Sequence, residues 1–180
     1  MDSLEELEAL FQRDKAVSRS YTDLFTSSAK VRLRMLSDDV KIPVSFFPED
    51  IQWEDFMRPL YALVCLDDND GKIMERISSE VFQEFQDNRL AREEDYETDA
   101  DQLNEEGEGR DFRSLFPPSD VSDILRLIRF THIGIQKSYD GKGVSLSICA
   151  QVAWDMEHEL AIDFRDGVEF KWISQPGAGC

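Results

Sequence analysis

Asp155, Glu157 and His158 crowd into the short run Trp154-Asp155-Met156-Glu157-His158. Two carboxylates and an imidazole at that spacing can bind a divalent metal or pass a proton, because histidine titrates near neutral pH and carboxylates offer oxygen donors. The same residues also suit a turn between two strands. Asp155 would then bond turn amides, Trp154 would end a buried face, and His158 would meet a loop carbonyl. Asp155, Glu157 and His158 therefore form a candidate strand-turn site, with no metal and no catalytic role assigned.

Other chemistry is sparse. A nucleophilic pair of Cys149 with His158 has no activating neighbour in the sequence. No phosphate loop, dinucleotide fingerprint, nucleophile elbow or H-E-x-x-H occurs. Asp67-Asp68-Asn69-Asp70-Gly71 begins like a calcium loop, but Ile73 and Met74 stand where further oxygen ligands belong, and no Glu closes the loop. No cofactor is expected, and an enzyme is not the favoured class.

A second candidate is electrostatic. Between Ala91 and Arg110 the chain carries Glu93, Glu94, Asp95, Glu97, Asp99, Asp101, Glu105 and Glu106, with Tyr96 and Leu103 as its only large apolar residues. That composition cannot bury enough surface to offset ordering entropy, which predicts an exposed acidic loop over 91–110. The whole chain has a formal net charge of −18. Phosphates and anionic membrane surfaces would be repelled, so nucleic acid and membranes are excluded as direct partners. A basic protein partner would be attracted, with the acidic loop as its candidate contact.

The 180 residues fit a single domain, 1–180, with a loose tail over 174–180. Three cysteines, Cys65, Cys149 and Cys180, are widely spaced and show no disulfide framework or C-x-x-C. Met1 to Glu6 lacks the basic and apolar regions of a signal peptide, and no apolar run is long enough to span a bilayer. These features predict a cytoplasmic protein.

The elements that must position these residues are legible from periodicity. Ser3 and Glu6 form a capping box before the stripe Leu4, Leu7, Leu10 and Phe11, which predicts a helix from Ser3 to about Arg19. Val31, Leu33 and Met35 alternate, as do Ile42, Val44 and Phe46, giving two short strands; Pro43 favours an edge position for the second. Asp50 can cap a helix to Leu66 carrying Phe56, Leu60, Leu63 and Val64; Pro59 leaves a break near Met57-Arg58, or a strand from Tyr61 to Leu66, as the alternative. Lys72 to Asn88 carries the stripe Ile73, Ile77, Val81, Phe82 and Phe85, and is the expected cover of the C-terminal sheet. A short helix through Ile124 and Leu127 precedes a strand from about Phe130. Val144 to Trp154, Leu160 to Phe164 and Val168 to Trp172 then alternate, with Asp166-Gly167 as a tight turn. Trp154, Ile162, Phe170 and Trp172 are expected on one buried face.

The runs DILRLIRFTHIGI (123–135) and VSLSICAQVAWDMEHELAIDFRDGVEF (144–170) resemble a bacterial domain family of unassigned biochemical function. The resemblance covers roughly Ser119 to Ile173, and more loosely the helix from Lys72, and departs from the family pattern at Glu159-Leu160-Ala161, where its glycines are missing. Such domains look like immunity proteins of polymorphic toxin systems. The resemblance implies an antitoxin-like protein that binds and neutralises a cognate protein toxin, and it carries over no catalytic residue. An adaptor or assembly protein is the alternative, followed by a small metal-dependent enzyme using Asp155, Glu157 and His158. The fold predicted is α+β: a C-terminal four-stranded antiparallel meander plus short N-terminal strands, with helices mainly on one face.

Overall fold

The computed structural model describes residues 3–18, 25–36, 40–47, 50–69, 71–92, 118, 120–138, 140–152 and 154–174. The order of elements is α1 (Leu4–Ser18), β1 (Phe25–Arg32), β2 (Lys41–Phe46), α2 (Trp53–Cys65), α3 (Lys72–Arg92), β3 (Ile128–Lys137), β4 (Val144–Val152), β5 (Asp155–Arg165) and β6 (Glu169–Ser174), with a 3-10 turn, Val121–Leu127, ahead of β3. The strands form one six-stranded sheet in sequence order. Neighbours are antiparallel except β2 and β3, which are parallel. A parallel pair needs a crossover, and α2 and α3 lie within it. The architecture is therefore α+β with the expected C-terminal meander, and the N-terminal hairpin extends that same sheet.

The core lies between one face of the sheet and the helices. On α1, Leu7 and Phe11 are fully buried, and the Phe11 ring meets Trp53 of α2 at 5.6 Å between centroids. The helix is docked through these two residues, while Leu10 remains 39% exposed. Trp53 also packs on Phe25, Phe46 and Phe56 at 5.1–5.8 Å, tying both N-terminal strands to α2. The third helix covers the meander as expected. Its Ile77, Val81 and Phe85 are buried, Phe85 meets Trp154 edge-on at 5.3 Å, and Arg76 stacks 4.6 Å above the Phe170 ring. Trp154 Nε1 donates to Glu84 Oε2 at 3.0 Å, which satisfies the one polar atom of a buried indole.

Several local expectations are corrected. The first strand ends at Arg32, because the Arg34 amide leaves the ladder and donates to the Val64 carbonyl at 3.2 Å; Leu33 and Met35 enter the core from a turn. Pro43 lies in an interior strand. The parallel ladder to β3 begins only at Val44, so the missing N–H of Pro43 breaks no bond there. The second helix starts after Gln52, whose amide donates to Asp55, and runs unbroken through Pro59. Burial of Phe56 and Met57 before the proline and Leu60 and Leu63 after it outweighs a proline cost of roughly 3 kcal/mol. The third helix continues to Arg92, shortening the predicted acidic loop at its start.

The largest correction is Trp172, which is 56% exposed. Phe164 pairs with Phe170 and Ile162 with Ile173, so Asp163 faces both Lys171 and Trp172. One extra residue on β6 forms a bulge that resets the alternation. Phe170 and Ile173 stay on the core side, and Trp172 turns to the other face. Trp154, Ile162 and Phe170 are buried as expected.

Candidate functional site

Among the described residues, no helix covers the second face of the sheet in its central strands. Residues there alternate with the core: His132 with Ile133, Cys149 with Ile148 and Ala150, Glu159 with Leu160. His132 pairs directly with Cys149, and Cys149 with Ala161 of the next strand. A register shift between Phe130 and His132 leaves Thr131 as an extra residue on β3. This bulge sets the Thr131 hydroxyl 3.0 Å from Glu159 Oε1, 3.1 Å from His132 Nδ1 and 3.2 Å from the Cys149 carbonyl. One nitrogen, sulfur or oxygen from each of His132, Cys149 and Glu159 lies within 4.8 Å of the others.

Burial is the dominant influence on the His132 imidazole and holds its pKa below the ordinary 6.5, while the Glu159 carboxylate partly opposes the shift. The ring is thus favoured in its neutral form, able to accept a proton or a metal through a lone pair. Cys149 is fully buried and engaged in a disulfide whose other sulfur lies outside the described residues; Cys65 is a free thiol. This overturns the expectation of no disulfide, which rested on wide spacing: cysteines distant in sequence can meet once strands pair. A disulfide sulfur carries no proton, so its 3.4 Å approach to the Ser147 carbonyl is a contact and not a donated bond.

A second polar region occupies the other end of the same face. A groove of about 300 Å³ is lined by residues that include Ser138, Asp140, Ser145, Asp163, Arg165 and Trp172. Asp163 is 8% exposed and accepts from Ser147 Oγ at 2.5 Å and Ser174 Oγ at 3.1 Å. Arg165 pairs with Asp140 at 2.8 Å. The Asp140 carboxyl sits below the usual range, chiefly because it accepts from the Lys142 amide, with Arg165 adding to the effect. Among the described residues, every buried side-chain nitrogen or oxygen has a hydrogen-bond partner. The face is internally satisfied, as a rigid scaffold requires.

The residues singled out from sequence fare differently. Asp155, Glu157 and His158 stand in the first positions of β5, because Val152 already pairs with Asp155. The expected long turn is therefore strand, and the connection from β4 is only Ala153 and Trp154. The side chains of 155–158 lie outside the described residues. Glu93, Glu94, Asp95, Glu97, Asp99, Asp101, Glu105 and Glu106 also lie outside the described residues. The His132–Cys149–Glu159 cluster escaped sequence reading. Its signal was there in the alternation of each strand, but only the pairing of three strands brings the residues to one place. The outer surfaces of the helices are acidic, with Glu5, Glu8, Glu54, Asp55, Glu75 and Asp87 exposed.

The fold defines a small α+β protein with a helix layer on one sheet face and a polar, partly buried cluster on the other. The chain belongs to a family described as a domain of unknown function, DUF6985, whose model matches residues 14–176. The match extends beyond the region that carried the resemblance, and takes in the N-terminal hairpin and α2. Comparison with curated proteins and with solved structures gives no match. No helix among the described residues is long and apolar enough to cross a membrane.

Proposed function

We propose that this protein is an immunity- or antitoxin-like binding protein that neutralises a cognate basic toxin by direct contact in the cytoplasm. The observation that carries this reading is the net charge of −18 on only 180 residues. It exceeds what solubility of a small domain requires, typically a net charge of about 2–8 in magnitude. A field of that strength raises the encounter rate with a positively charged partner by ~10- to 10³-fold. The exposed carboxylates of the three helices agree with the same reading. The mode of action is occlusion rather than catalysis, with the acidic run 93–106 as the first contact.

The test has two arms. Co-expression with the product of the adjacent reading frame is expected to relieve growth arrest caused by that product alone. Purified protein with Glu93, Glu94, Asp95 and Glu97 replaced by glutamine is expected to associate more slowly with that partner, with a flatter salt dependence. Growth arrest that persists on co-expression would sink the antitoxin reading. Association rates equal to the parent at two ionic strengths would remove the acidic run from it.

A further inference from the structure

We propose that reduction of the disulfide at Cys149 turns the corner formed by His132, Cys149 and Glu159 into a binding site for one zinc-class cation. The donors are one imidazole nitrogen, one sulfur and one carboxylate oxygen, mutually within 4.8 Å. In a tetrahedral zinc site with bonds of 2.0–2.3 Å, ligand atoms lie roughly 3.3–3.8 Å apart. The present separations of up to 4.8 Å are within about 1–1.5 Å of that spacing. A mixed sulfur, nitrogen and oxygen set selects a borderline-soft ion such as zinc over calcium or magnesium, which demand oxygen shells.

The scaffold suits a metal. The three ligands come from three adjacent, directly paired strands, with His132 opposite Cys149 and Glu159 two residues from Cys149's partner Ala161. Thr131 reaches both His132 Nδ1 at 3.1 Å and Glu159 Oε1 at 3.0 Å, and so orients two ligands from behind. His132 and Glu159 are half-buried whereas Cys149 is fully buried, so the cation enters from their side. Three protein donors leave the fourth position to water.

The redox step balances with a dithiol as reductant. The S–S bond at Cys149 breaks, the dithiol gives two electrons and two protons and closes to its own disulfide, and both protein sulfurs become thiols. Cys149 then releases one proton as its thiolate takes the metal. Occupancy consequently follows compartment: a reducing cytosol favours the metal form, an oxidising one the disulfide.

The experiment uses the full chain, stripped with a chelator, reduced with dithiothreitol and desalted anaerobically. Zinc titration by calorimetry is expected to show one equivalent bound by the reduced protein and none by the oxidised protein. Cobalt(II) is expected to give a near-ultraviolet thiolate charge-transfer band with the reduced parent, a readout that needs no variant. Cys149→Ser, His132→Gln and Glu159→Gln are each expected to weaken zinc binding at least 10-fold, with circular dichroism confirming the fold. Reduced parent protein that binds no zinc, a cobalt complex without the thiolate band, or folded variants that bind as tightly as the parent would overturn the proposal.

Discussion

Gly167 in the β5–β6 turn lies directly against the carbonyl of Pro59 on α2: a Cβ at position 167 would sit 1.9 Å from the Pro59 oxygen. Gly167 also has φ +76, and Asp166 before it has φ 49, so the turn occupies the left-handed region at both positions. The Asp166 amide donates to the Val144 carbonyl at 2.9 Å, and its carboxylate accepts from the Val144 amide at 3.1 Å. The last hairpin is thereby fastened to β4 on one side and to the helix layer on the other.

Gly167→Ala is expected to lower stability by about 2–4 kcal/mol, combining left-handed strain with a clash against backbone that cannot move aside. Gly141, at φ +69 with nothing within 4 Å of its virtual Cβ, is the control. Gly141→Ala should cost only about 1 kcal/mol. Urea unfolding of both variants checks the difference, and equal costs would mean that the Pro59 contact is absent in solution.

The bulge at Asp163 makes opposite predictions for two aromatics two residues apart. Phe170→Ala should cost about 3 kcal/mol, since the ring is buried against Phe164 and beneath Arg76. Trp172→Ser should change stability by no more than about 0.5 kcal/mol, as expected of an exposed position. Chemical denaturation distinguishes the two; a large loss from Trp172→Ser would place the indole in the core.

Trp154→Phe keeps most of the buried ring but leaves Glu84 without the indole N–H. It should cost about 1.5–3 kcal/mol, the range for a hydrogen bond to a charged acceptor. A double-mutant cycle with Glu84→Ala should return a coupling of about 1 kcal/mol. Additive effects would show that the 3.0 Å bond contributes nothing.

The lowered pKa of His132 has a definite sign in the oxidised, metal-free protein. Burial lowers the folded-state value below the unfolded 6.5, so the unfolded chain binds the extra proton first. Its contribution to stability is fully present above pH 6.5 and is lost as pH falls through the folded value. Acidification from pH 7.5 to 5 should therefore destabilise the parent more than His132→Gln. Thermal melts across that range measure the gap, and parallel profiles would refute the assignment to His132.

Local periodicity carried most of the element list. The stripe Ile77, Val81 and Phe85 specified α3 and its buried face, and alternation specified the strands of the meander, because both depend only on neighbours in the chain. The Asp166-Gly167 turn was readable for the same reason: its backbone demands residues that tolerate positive φ. The net charge is likewise a property of composition alone.

Tertiary structure decided what depends on register and on distant neighbours. The parallel pairing of β2 with β3 placed Pro43 inside the sheet, and packing on both sides of Pro59 kept α2 intact against its local preference. The exposure of Trp172 follows from one extra residue on β6, because a one-residue change of register turns every later side chain to the other face. His132, Cys149 and Glu159 are unremarkable outward positions on three separate strands. They become a site only when pairing sets them side by side, since hydrogen-bond register between strands is a long-range relation that no single stretch of sequence encodes.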